Sequence, residues 1–157
     1  MTSDTPGASG LRSRLGRLFG SGSRAVRVPS VDDDDLAVIV RADDDAVASS
    51  AVLSDAGFDS DRKVVLRHLL ELPESALDDA AASAGLEGYS EGQPLPDDPG
   101  AFDGGVLLAL VRVQSVDART ASQERARIAS LASRSGGRVL GWALLDVPPA
   151  SSSDARR

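Results

Sequence analysis

A chain of 157 residues with 41% hydrophobic content has room for one modest core, and an aromatic content of 3% leaves that core to Leu, Val, Ala and Ile. It has no cysteine and a single histidine, His68, which excludes disulfides, thiolate metal sites, cysteine nucleophiles and any histidine cluster built within one chain. The net charge of −7 is uneven: residues 1–31 hold five arginines against one aspartate, +4, leaving −11 for the rest. An acidic body repels phosphate backbones and suits a basic partner, so direct nucleic-acid binding is not expected.

No apolar run approaches the ~20 residues that cross a bilayer, and arginines interrupt Leu11–Phe19 too often for a signal peptide, so a cytoplasmic protein is expected. Residues 1–35 are expected to be a disordered tail, basic first and acidic after. Within it Leu11, Leu15, Leu18 and Phe19 share one helical face with Arg12, Arg14 and Arg17 elsewhere. We read residues 11–19 as a flexible basic tail, with weak docking to anionic lipid or an acidic partner as the alternative. Asp32–Asp35 lack the alternate spacing and bend glycine of a calcium loop and read as solvated charge.

Residues 36–147 are expected to form one α+β domain. Leu36–Arg41 reads as a short buried strand; Asp43–Asp45 then suit the first turn of a helix that stops at Gly57. In Val64–Leu72, the alternate residues Val64, Leu66, His68, Leu70 and Leu72 share one strand face. His68 thus stands in an apolar row, and no carboxylate lies at a spacing that would orient it. It reads as a core or edge histidine with one hydrogen bond rather than an acid–base group.

Pro73 ends that strand, Glu74–Ser75 open an alanine-rich helix, and Gly85 stops it. The units Leu36–Phe58 and Val64–Tyr89 read alike, as strand, acidic start, helix, A-G and aromatic, without enough distinctive residues to establish a repeat. Gly88–Gln93 reads as a short edge strand and Pro94–Gly105 as a flexible loop. Its glycines lack the lysine and Ser/Thr of a phosphate-cradling loop, so no nucleotide is expected. Val106–Gln114 is apolar enough for a central strand. Asp117 or Ser115 caps the next helix, which buries Ala121, Ile128, Leu131 and Ala132 and sets Arg119, Arg125, Arg127 and Arg134 mostly outward. Gly136-Gly137 end it. Arg138–Val147 is the last strand, with a bulge or close approach at Gly141. Trp142 reads as a core plug, or as an interface anchor if exposed near Tyr89. Residues 148–157 are expected to be a disordered tail.

From Val64 the order strand, helix, strand, strand, helix, strand is the ferredoxin-like βαββαβ plan, with Leu36–Phe58 as an added leading unit. R-H-L-L-E-L-P at Arg67–Pro73, A-G-L-E-G-Y at Ala84–Tyr89 and S-G-G-R-V-L-G-W at Ser135–Trp142 resemble the regulator of ribonuclease activity B family. The resemblance departs in the first strand, where Leu69, Leu70 and Leu72 replace aromatics, and at Val139-Leu140 before G-W. It implies a non-enzymatic cytoplasmic protein, without metal or cofactor, that inhibits a ribonuclease E-type endonuclease by protein contact. His68, Tyr89 and Trp142 are then the candidate partner-binding residues. A rival segmentation takes Leu36–Arg41 as the first strand and the Glu74–Ala84 helix as an insertion. It resembles an ACT module, an amino-acid sensor that binds its ligand at a homodimer interface.

Overall fold

The computed structural model describes residues 27–44, 46–102 and 104–149. They form five strands and three helices: β1 (Ala37–Ala42), α1 (Ser49–Asp55), β2 (Lys63–Pro73), α2 (Leu77–Leu86), β3 (Ser90–Glu91), β4 (Gly105–Ser115), α3 (Ala118–Arg134) and β5 (Arg138–Asp146). The strands make one sheet in the order β1-β5-β2-β4-β3, every neighbouring pair antiparallel.

Strand β2 lies in the middle because it is apolar on both faces, and Val64 to Leu72 are all buried. It runs in unbroken register against β4 from Lys63↔Ser115 to Pro73↔Gly105. The even row expected from the sequence is present. Leu70 and Leu72 join Leu108, Leu110, Ala80, Ala84, Ile128 and Leu131 in one cluster beneath α2 and α3. Val64 and Leu66 join Leu53, Ala121, Trp142 and Leu144 in a second beneath α1 and α3. The odd row faces away from the helices: Val65, Val111, Ala143 and Leu145 are covered by Val31, Leu36 and Leu95 from two irregular segments.

Strand β1 departs from the buried strand expected of Leu36–Arg41. It is an edge strand paired only to β5, with Val38 and Ile39 exposed. The segmentation that starts a βαββαβ unit there, as an ACT-like module requires, is not the one the chain adopts. The longer, wholly apolar β2 takes the interior place. Asp43 and Asp44 do not begin α1, which starts at Ser49 with no acidic residue in its first turn. Asp43 pairs with Arg41 at 2.8 Å instead, and Asp44 accepts the Ala46 N–H. A short polar side chain satisfies a nearby backbone donor in a turn as readily as at a cap. Asp45 lies outside the described residues.

Helix α2 follows a 3₁₀ turn at Glu74–Ala76 and runs through Gly85. The stop is Gly88, at φ +87°, with Tyr89 N–H donating to the Ala84 carbonyl and Gly88 N–H to the Gly85 carbonyl. Helix α3 ends the same way: Gly136 has φ +74°, and Gly137 N–H reaches the Ala132 carbonyl at 2.8 Å. Both are Schellman closures, in which a left-handed residue after the helix lets two trailing N–H groups satisfy the last carbonyls. Its N-terminus is capped by Asp117, whose carboxylate accepts the Thr120 N–H at 2.6 Å and is held below the usual carboxylate range by that bond.

In β5 the pairing slips from Leu69↔Gly141 to Leu70↔Val139, leaving Leu140 as the extra residue. This bulge is why Val139 and Trp142, three apart, both face the helices. A Cβ on Gly141 would meet the Ala42 carbonyl oxygen at 2.6 Å, so glycine there also admits the edge strand.

Two boundaries move. Residues 27–35 belong to the folded body, with Pro29 buried and Val31 packed on the sheet, rather than to a tail. Residues 94–102, expected to be a flexible loop, are bonded to the sheet through side chains. Arg67, on the odd row of β2, makes a bidentate pair with Asp98 at 2.9 and 2.5 Å, and Asp98 also accepts the Leu95 N–H at 2.7 Å. Arg41 holds the Asp97 carbonyl at 3.0 Å. Residues 1–26, including the 11–19 segment, and 150–157 lie outside the described residues.

Candidate functional site

The three residues singled out by the sequence come together in the interior. His68 is wholly buried, Tyr89 is 5% exposed and Trp142 4%, so none presents a partner-contact surface. The reason is position. His68 stands on the helix-facing row between Leu66 and Leu70, opposite Leu110 on β4 and Trp142 on β5. Tyr89 is drawn inward as the residue that closes the end of α2. The His68 and Tyr89 rings meet edge to face with centroids 6.0 Å apart.

Neither ring nitrogen of His68, nor Nε1 of Trp142, has a hydrogen-bond partner. The single hydrogen bond expected of His68 is therefore not made. Burial, reinforced by the positive charge of Arg125, pushes the His68 pKa down to about 3, so the ring is neutral at physiological pH. Tyr89 donates its hydroxyl proton to the carboxylate of Glu124, and burial together with that bond raises its pKa well above the ordinary phenol value. The Arg112 guanidinium stacks 5.2 Å from the Tyr89 ring centroid and lies 3.7 Å from Glu124; Arg127 reaches Glu124 at 3.4 Å.

Sequence reasoning missed Glu124. It is buried at the helical spacing that continues Ala121 and Ile128, and its place on that stripe was the available signal. Arg125, expected to face outward, turns toward α1, donating to Ser49 Oγ at 2.8 Å and the Val47 carbonyl at 3.0 Å. Among these groups, a neutral imidazole with no hydrogen-bonded carboxylate and a phenol that holds its proton tightly are poorly arranged to move protons at pH 7.

Two accessible concavities lie elsewhere. One, of about 390 Å³, is at the end of the sheet beside Glu71, Phe102 and Arg138. There the Glu71 carboxylate accepts the Phe102 N–H and is bound by Arg138 at 2.8 Å. It is held below the usual range first by the backbone N–H and then by the guanidinium. The other, of about 420 Å³, lies on the odd face between residues 31–36 and 91–96.

The chain matches no family model and no curated protein. Among the described residues no group of three or more His, Asp or Glu side chains is placed to hold a metal ion, and no helix is long and apolar enough to cross a membrane.

Proposed function

We propose that this protein is a non-enzymatic, protein-binding regulator, an inhibitor of an RNA-degrading endonuclease of the ribonuclease E type. The observation that carries the reading is the division of its polar groups. The one imidazole is sealed in the core, while the exposed Asp32, Asp34 and Glu91 rim an open concavity in the layer that covers the other face of the sheet. Such a body offers shape and negative charge to a basic partner, and the surplus of negative charge outside residues 1–31 acts in the same direction. The strand order β5-β2-β4-β3, with both long helices against one face, supports a ferredoxin-like core to which β1 is added at the β5 edge.

The test is to add the purified chain to a purified ribonuclease E-type endonuclease with a labelled single-stranded RNA, and to follow cleavage beside complex formation by light scattering. The reading expects a complex of defined mass and slower cleavage, with His68→Ala no less inhibitory per folded molecule. Unchanged cleavage with no complex would overturn the assignment to this partner. RNA turnover by the chain alone, abolished in His68→Ala, would overturn the non-enzymatic reading.

A further inference from the structure

The odd face of the sheet is covered by two irregular segments, and a cavity lies between them. The half-buried Leu36 and Leu95 form the apolar walls of the 420 Å³ cavity, and Val65, Val111 and Leu145, from β2, β4 and β5, lie buried at its base. Its rim is acidic on both sides, with Asp32 and Asp34 on one wall and Glu91 on the other, all exposed. None of these three is in an ion pair with a described residue. Arg67 at the base is already neutralised by Asp98, at 2.5 Å.

Apolar walls beneath exposed carboxylates select their occupant by charge and shape. An anionic headgroup or a phosphate backbone is repelled by the rim, and an uncharged ligand leaves the rim carboxylates without counter-charge. We propose that this groove binds a cationic amphipathic peptide segment of a partner protein, an apolar side chain between Leu36 and Leu95 and arginines or lysines against Asp32, Asp34 and Glu91. This assignment rests on the protein-binding reading above and names the surface and the chemistry of the partner.

The probe is a fluorescein-labelled heptapeptide of alternating arginine and leucine, titrated with the full chain and read by anisotropy at ~100 mM salt. The combined variant Asp32→Asn, Asp34→Asn, Glu91→Gln removes three exposed charges whose side chains make no bond to a described residue. It is expected to weaken binding at least ~10-fold. The variant Asp55→Asn, Asp78→Asn, Asp79→Asn changes net charge equally but lies on α1 and α2, and is expected to weaken it less than ~2-fold. A peptide with serine in place of leucine is expected to bind at least ~10-fold more weakly. Equal weakening by the two variants, serine and leucine peptides of equal affinity, or no saturable binding would each overturn the groove assignment. An endonuclease complex that survives in the rim variant would overturn it while leaving the regulator reading standing. Absence of any complex with the unaltered chain would count against the regulator reading itself.

Discussion

His68 has the clearest consequence at the scale of single residues. Its folded pKa of about 3 lies below the ordinary 6.5, so between those values the unfolded chain binds a proton that the folded chain refuses. Stability from this group is complete above pH 6.5 and is lost as pH falls toward 3, at up to about 1.4 kcal/mol per pH unit. Tyr89 meets the ring edge to face and Arg125 acts on it through its charge; Glu124 and Arg112 contact Tyr89, and among the described residues no carboxylate is bonded to the ring. Glu71 and Asp117, both depressed carboxylates, add their own loss only nearer pH 4. Urea unfolding between pH 5 and 7 isolates the imidazole. The slope should vanish in His68→Leu, which should also be at least as stable as the parent at pH 7 because two orphaned buried nitrogens are removed. A His68→Leu protein destabilised by several kcal/mol would show that the ring makes a bond the structure lacks. At Gly141 the expectation is steric: alanine there should cost about 1–3 kcal/mol, read as a lowered urea midpoint, since its Cβ would press on the Ala42 carbonyl.

Among elements, residues 94–102 are tied to β2 by a buried ion pair. Arg67 and Asp98 are 5% and 6% exposed at their side chains, so removing either leaves a charge in a poorly solvated place. Arg67→Met or Asp98→Leu should each cost about 3–5 kcal/mol, while the two combined should cost much less than their sum, checked by a double-mutant cycle in urea. Additive costs would mean that the pair does not tie the loop down. The elements themselves were largely legible. Period-two alternation located β2, the apolar stripe at 121, 128, 131 and 132 located α3, and the glycine beside Trp142 marked the bulge in β5. Three features were not legible, each for a physical reason. Asp43 and Asp44 serve a turn as well as a cap, so the start of α1 was misplaced. A helix end needs a left-handed residue, and of Gly85 and Gly88 only the second takes it. Edge and central strands of similar apolarity differ in their partners, which a local pattern does not encode, so β1 was taken for a buried strand. The candidate site fared worse. His68, Tyr89 and Trp142 do assemble, but long-range packing set them inside, and the walls of the groove on the other face, 31–36 and 91–96, are far apart in the chain.

For the molecule as a whole, the account makes the protein a binder whose charged exterior meets a basic partner and whose buried polar groups keep the core in one arrangement. A binder acts by occupancy, and stoichiometry separates that from turnover. The decisive measurement is the rate of RNA cleavage by a fixed, micromolar amount of the endonuclease as this chain is added across mole ratios from well below to above one. The account predicts a linear fall that breaks at a fixed whole-number ratio, independent of incubation time and weakened by salt. Loss of activity at small mole ratios that deepens with time would show the chain acting as a catalyst, and would contradict it.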